Sequence, residues 1–412
     1  MEDVKGKMSN RATILFIADA VTLAHLARPA ALAQGLDTEK FDVVLACDSR
    51  YQSFLEHLPF PTLPVKSVST EQFLRSAARG RPLYDTHTLH EYVRDDLALL
   101  ESVQPAAVVG DHRLSLSVSA RLVGVPYLGI INAYWSPYAT SSFPLPELPM
   151  NRWMGLALAR LLFRMAWPLA SAYHAFPLNR VRRAYGLRSL GWDWCRAYTD
   201  ADRTLYADAI ELVPTRRLPS SHVYLGPILW SPTGNLPSWW DDLPTDRPMV
   251  YVTMGSSGRP ELLELVLRSL ADLPITIVAT TAAKLQMSEP PANTRLLTYA
   301  PGEKLAARAE IVICNGGSMS VYQALSAGRP LIGIASNMDQ HLSMSYVERA
   351  GVGTLLRSEE LSGLKLRTAV HQMLRDRNVR IRAQNLARSI SSYAPSQRLS
   401  QVLEEFTGRV ED

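Results

Sequence analysis

Two stretches of this chain hold residues whose types and spacing could do chemistry. The first is Ile311-Val-Ile-Cys-Asn-Gly-Gly-Ser-Met-Ser-Val-Tyr-Gln, running on to Asp339-Gln340. Its pattern predicts an apolar strand over 311–314, a tight turn over 315–318 and a helix over 319–327, with Gly-Arg-Pro leading into another strand. A glycine turn between a strand and a helix N-terminus aims backbone N–H groups and the helix dipole at one spot, which suits an anion such as a phosphate. Gly316 and Gly317 allow close backbone approach, and Ser318 and Ser320 add hydroxyl donors. A bare Gly-Gly-Ser also serves as an ordinary turn with a serine cap, so the motif alone leaves both readings open.

The second stretch is Val21-Thr-Leu-Ala-His-Leu-Ala-Arg-Pro, just past the first predicted strand. It puts His25 at a strand's carboxyl edge, where open α/β sheets bind ligands. Histidine suits a base that takes a proton from a hydroxyl near neutral pH; at a helix start it is equally a capping or packing residue. Such a base needs a carboxylate on its other ring nitrogen. Asp111 directly follows the strand predicted over 106–110 and is the first candidate, although an aspartate there can simply cap the next helix. Asp19 is a second possible partner, and His112 a second possible base.

Other segments offer binding groups. Val250-Tyr-Val-Thr-Met-Gly-Ser-Ser-Gly reads as a strand ending in a turn, where Gly255, Ser256 and Ser257 supply further donors. Tyr299 in Tyr-Ala-Pro-Gly presents a ring for stacking, or is a half-buried aromatic at a strand end. Asn132-Ala-Tyr-Trp follows another strand, so Asn132, Tyr134 and Trp135 could meet a planar or apolar acceptor, or line an interdomain core.

The elements that must position these groups alternate. Strands over 13–18, 41–46, 106–110 and 127–131 are separated by helices over 24–34, 87–103 and 114–123, and the rhythm restarts at 249–254 and continues to 354. Short continuous apolar strands between helices predict parallel sheets covered on both faces. Two such halves make a pair of Rossmann-like domains facing across a cleft. The expected units are 1–225, 226–390 and a final helical segment 391–412, with the linker near 214–237. An unusually apolar helical stretch over 151–183, carrying Trp153, Leu161, Leu162, Met165 and Trp167 among Arg152, Arg160 and Arg164, is expected to be buried beside the cleft. The alternatives are a lid over an apolar acceptor or a helix resting on a membrane surface.

Composition bounds the rest. A chain of 412 residues, 47% hydrophobic and 20% charged, is globular and long enough for two domains of about 200 residues. A net charge of +4 without basic runs gives no reason to expect a nucleic-acid partner. Cys47, Cys195 and Cys314 are scattered, with neither disulfide nor metal-ligand spacing, so a reducing cytosol is expected and no metal or other cofactor. No stretch reaches the ~20 uncharged apolar residues of a membrane span.

The 311–340 segment resembles the donor signature of the GT-B nucleotide-sugar glycosyltransferases, in the bacterial branch of the UDP-glycosyltransferase superfamily. That signature runs His-x-Gly-x-x-Ser/Thr-x-x-Glu, then Gly-x-Pro, then Asp-Gln. Gly317, Ser320, Gly328, Pro330, Asp339 and Gln340 fall in register, whereas Asn315 replaces His and Gln323 replaces Glu. An amide keeps hydrogen-bonding capacity but gives up charge. Gly255-Ser256 matches the family's first donor-domain turn. Tyr299 matches its base-stacking aromatic, with Gly302 where Gln is usual. His25 sits in the turn that carries the family's base, within a Gly-His-x-x-Pro-like pattern in which Ala24 replaces the glycine and Pro29 is one place late.

The resemblance implies an α/β GT-B protein whose C-terminal helix crosses back to the N-terminal domain. It implies inverting transfer of a hexose from a UDP- or dTDP-sugar to a hydroxyl of a small, lipophilic acceptor, with His25 as base and Asp111 as its partner. Diphosphate, ribose and sugar would fall to the residues 315–320, Gln323 and the Asp339–Gln340 pair. A cytoplasmic location with peripheral membrane contact fits. A nucleotide-sugar epimerase, or a catalytically weak auxiliary protein of the same fold, is the alternative.

Overall fold

The computed structural model describes residues 11–54, 57–147, 151–232, 234–256 and 258–408. Strands β1 (Ala12–Ala18), β2 (Phe41–Cys47), β3 (Thr62–Pro64), β4 (Ala107–Asp111), β5 (Tyr127–Ile131), β6 (Arg203–Tyr206) and β7 (His222–Tyr224) form one sheet. Strands β8 (Met249–Thr253), β9 (Thr276–Thr280), β10 (Thr294–Leu297), β11 (Ile311–Cys314), β12 (Leu331–Ala335) and β13 (Gly353–Arg357) form a second. Their orders are β3-β2-β1-β4-β5-β6-β7 and β10-β9-β8-β11-β12-β13, and every pairing is parallel. The central strands are buried along their whole length, as Ile313 and Val252 illustrate. Helices on both faces therefore explain the continuous apolar runs.

In each sheet the order of strand addition reverses once, between β1 and β4 in the first and between β8 and β11 in the second. Crossovers leave those two strand pairs in opposite directions, which opens a crevice at their carboxyl ends. All four candidate turns fall there: His25 after β1, Asp111 at the end of β4, Gly255 after β8 and Asn315 after β11. Asp111 differs slightly from expectation. It is the last residue of β4, paired in register with Ala18, so its side chain is held by the sheet rather than by a following helix cap.

The helix Pro395–Thr407 buries Leu399, Val402 and Leu403 in the same core as Ile14 and Phe16 of β1. Lys40 pairs with Glu404 at 2.9 Å, and Arg398 Nη1 donates to the Tyr224 carbonyl at 2.8 Å. The helix thus returns to the first sheet, as the resemblance implied.

The 151–183 stretch departs from expectation. It forms a short helix, Asn151–Met154, and a long one, Leu156–Ala184. Only one side of the long helix is covered, and Met165 and Leu169 are 71% and 77% exposed. Apolar sequence was read as a sign of burial here, and the fold leaves half of it in solvent.

Gly226, after β7, has a φ of +99°, and a Cβ there would stand 2.3 Å from the Tyr393 ring. That ring anchors the return of the chain, since the Tyr393 hydroxyl accepts from Ile210 N at 3.1 Å and donates to Glu211 at 2.9 Å. Gly226→Ala should therefore cost about 2–4 kcal/mol, combining left-handed strain with overpacking, visible as a lowered melting temperature.

Candidate active site

A cavity of about 800 Å³ lies between the carboxyl edges of the two sheets. His25, Asn132 and Trp135 reach it from the first half of the chain. From the second come Gly255, Ser256, Tyr299, Asn315, Gly317, Ser318, Ser320, Gln323, Asp339 and Gln340. Asp111, Gly316 and Tyr134 stand behind this wall, and Ser257 lies outside the described residues.

His25 occupies the first turn of the helix Leu23–Gln34, with its Nδ1 2.8 Å from Asp111 Oδ1. Asp111 is fully buried and is also gripped by Arg28, whose Nε and Nη2 donate to its two oxygens at 2.8 Å each. Burial alone would raise the Asp111 pKa, but the Arg28 and His25 charges outweigh it and hold the carboxyl below its usual value of 3.8. Arg28 Nη1 continues to Asn132 Oδ1 at 2.7 Å. Asn132 Nδ2 and the Ala133 N–H then donate to Asp208, which also accepts from Tyr322 of the second half at 2.9 Å. Burial pushes the Asp208 carboxyl up to about 6. One buried chain of bonds therefore runs from the histidine to the Ser318–Ser326 helix.

The other first-half candidates fall elsewhere. Asp19 accepts from Tyr84 and Tyr92 and does not orient His25. His112, in a left-handed conformation at φ +59°, has its Nδ1 2.9 Å from the Tyr84 hydroxyl oxygen, to which an Nδ1–H can donate. Its ring lies 4.6 Å from that of His25. Burial, then the neighbouring His25 charge, lowers the His112 pKa well below 6.5, so it is neutral near pH 7. Asn132 spends its amide on Arg28 and Asp208. Tyr134 is 1% exposed, and its hydroxyl, like the Trp135 indole N–H, donates to Asp339 Oδ1 across the cleft at 3.1 and 2.8 Å. Tyr134 thus positions Asp339 from behind the wall, while Asn132 lines the cavity and also bonds Arg28 and Asp208.

In the second half, the turns after β8 and β11 converge. A Cβ at Gly255 would stand 3.4 Å from Asn315 Nδ2, and Asn315 Oδ1 accepts from Gly317 N at 3.1 Å. Gly316 has φ +76°, and any Cβ there would collide with Met344 at 2.6 Å. The first N–H groups of the Ser318–Ser326 helix lack intrahelical partners, and Ser318 and Ser320 lie at the cavity wall beside them. A second helix, Met338–Arg349, begins at the same wall, with Asn337 capping Gln340 N. Gln340 Oε1 accepts from Ser336 N and Oγ at 2.8 and 3.1 Å.

Gln323 carries a consequence of its departure from the family pattern. Its Nε2 donates to the Trp230 carbonyl at 2.9 Å and to Ser231 Oγ at 3.2 Å, while a Cβ at residue 302 would stand 2.7 Å from its Oε1. Residues 230–231 belong to the connection between the halves, so the amide closes that connection over the site.

Phe73, Trp135, Phe163, Trp167, Trp194 and Tyr198 give the first-half side of the cavity its aromatic wall. His174 stacks on Trp194 with centroids 4.2 Å apart, and burial lowers its pKa to about 4. Sequence reading missed Arg28, His174, Asp208 and Tyr322. Arg28, three residues after His25 and so on its helix face, was the one with a legible signal.

Comparison with known proteins decides the family. Residues 264–406 match the model of the erythromycin biosynthesis protein CIII-like C-terminal domain. The PGL/p-HBAD biosynthesis rhamnosyltransferase of Mycobacterium bovis (strain BCG / Pasteur 1173P2) is 52% identical over 382 residues, 93% of this chain and 85% of that protein. This chain belongs to the PGL/p-HBAD biosynthesis glycosyltransferase family. A second member, from Mycobacterium tuberculosis (strain ATCC 25177 / H37Ra), is 51% identical over 92% of this chain and 89% of its own length. Among solved structures, the spinosyn rhamnosyltransferase SpnG, known also in complex with thymidine diphosphate and with spinosyn aglycone, superposes with a TM-score of 0.70 over 95% of this chain and 100% of its own at 17% identity. The chain is thus a bacterial-type GT-B glycosyltransferase, as its motifs implied.

Two outcomes test the site's physics. Because the folded Asp111 pKa lies below the unfolded value, its pairing contributes stability above about pH 4 that is lost as pH falls through the depressed value. Arg28→Gln should remove about 3–5 kcal/mol at neutral pH by leaving a buried charge unpaired, and should flatten the acid-side loss in denaturant unfolding across pH. Gln323→Glu restores the family carboxylate but sets it against the Trp230 carbonyl. It should lower stability by about 1–3 kcal/mol without tightening nucleoside diphosphate binding in calorimetry.

Proposed function

We propose that this protein transfers a hexose of the rhamnose type, with inversion, from a dTDP- or UDP-sugar to a hydroxyl of a lipophilic, ring-bearing acceptor. The observation that carries this reading is that the His25–Asp111 pair and the Asn315–Ser320 turn face one cavity. The names of the relatives, and the thymidine diphosphate and aglycone complexes of SpnG, support the nucleotide and acceptor classes.

The acceptor hydroxyl gives its proton to Nε2 of His25, and its oxygen attacks the anomeric carbon. The bond from that carbon to the diphosphate oxygen breaks through an oxocarbenium-like transition state, and the diphosphate leaves with the electron pair. N–H and hydroxyl groups at 315–320 and at Gly255–Ser256 receive the developing charge, helped by the helix dipole. Asp111 fixes the histidine tautomer and stabilises the imidazolium, while Arg28 keeps Asp111 ionised. Asp339, with Oδ1 held by Tyr134 and Trp135, offers Oδ2 to a sugar hydroxyl. Tyr299 takes the base, and the aromatic wall takes the acceptor. Any cytoplasmic, peripheral association belongs to the same proposal; among the described residues no helix is long and apolar enough to cross a membrane.

His25→Ala should lower kcat about 10²–10⁴-fold while donor binding persists, as measured by thermal shift. In a panel of UDP, dTDP, GDP and ADP, a pyrimidine diphosphate at 100 times its Kd should stabilise the fold by about 2.7 kcal/mol. Equal kcat in the variant, or no response to any nucleotide, would overturn the assignment.

A further inference from the structure

The helix Leu156–Ala184 has two functional faces. Phe163, Trp167, Ala170 and His174 line the cavity, at spacings of four, three and four residues that keep them on one side. On the opposite side, Leu158, Leu161, Met165, Leu169, Tyr173 and Phe176 recur at the same spacings, and each is 48–77% exposed. They fill about a third of the helix circumference, and Trp153, in the short helix just before, is 90% exposed. Among the described residues this is a continuous apolar stripe, of the kind that soluble surfaces avoid unless something covers it.

Charge selects what covers it. Between Leu156 and Ala184 the helix carries five arginines and no aspartate or glutamate. Arg182 is buried, whereas Arg160, Arg164, Arg180 and Arg183 are exposed. The last two continue the stripe at its C-terminal end, and Arg164 stands nearer its edge than Arg160, which lies toward the cavity side. A second copy docked on this face would bring the same uncompensated cations to a shared seam. Anionic lipid headgroups would neutralise them while the acyl region takes the apolar side chains.

We propose that this helix lies in the surface of an anionic membrane and brings the cavity's acceptor end to the bilayer. Only one helix diameter, about 10 Å, separates the lipid-facing stripe from Trp167 and His174. A lipophilic acceptor therefore keeps its apolar part in the bilayer while its hydroxyl reaches His25. This last step rests on the acceptor reading above; the membrane contact itself does not.

The test is flotation of the full chain with vesicles of phosphatidylcholine alone or mixed with phosphatidylglycerol, with no donor or acceptor present. The protein should float with the mixed vesicles and be released by salt. The double substitution Met165→Gln and Leu169→Gln should cut the bound fraction's partition coefficient about tenfold or more, with melting temperature and nucleotide-induced thermal shift unchanged. Failure to float, equal flotation of the variant, or a solution dimer that the substitutions dissolve would each overturn the proposal. Transfer to a detergent-free soluble acceptor, measured without vesicles, separates such a failure from failure of the glycosyl-transfer reading.

Discussion

The buried pair between Arg28 and Asp111 sets the terms for the rest of this site. A carboxylate with no solvent exposure costs several kcal/mol unless it is paired and hydrogen-bonded, and Asp111 answers to two partners at once. The guanidinium bonds both its oxygens and leaves Oδ1 free to take His25 as well, so the ring is held against a charge that is itself fixed. From the same guanidinium the bonds continue through Asn132 and Asp208 to Tyr322. The relative placement of base and donor helix is therefore set by buried polar geometry rather than by the connection between the halves.

Further contacts join the two rims of the cleft. Tyr134 and Trp135 reach from the first sheet to Asp339, and the Tyr346 hydroxyl accepts from the backbone of Thr140 and Ser141 at 3.1 and 3.0 Å. These contacts tie the rims together where aromatic side chains can bring a polar tip to an otherwise apolar junction. The reacting groups remain at the cavity wall between them.

Much of the architecture was legible because strand and helix periods are local. The runs at 127–131 and 311–314 predicted strands that the fold reproduces, and glycine turns identified the carboxyl edges. Roles that depend on distant partners were not legible. Asp208 follows β6 in an unremarkable Ala-Asp-Ala, and nothing nearby in sequence announces Tyr322, 114 residues later. Asn132 and Tyr134 looked like ligand contacts because polar and aromatic groups after a strand usually are. Tyr134 instead meets Asp339 of the second domain, while Asn132 lines the cavity and is held by Arg28 and Asp208 of the first. The long helix misled for a related reason, since apolar periodicity reports that a face needs a partner and cannot say whether that partner is protein.

Gln323 and Gly302 impose a packing constraint on each other. The amide at 323 occupies space that any side chain at 302 would contest, and it is fastened to the Trp230 carbonyl. These two departures from the family pattern are thus coupled at the level of structure. Each position limits what the other accepts: glutamate at 323 meets the Trp230 carbonyl, and a side chain at 302 meets the Gln323 amide. The pair therefore acts as one structural unit, and a change at either position is felt by the segment that joins the two halves.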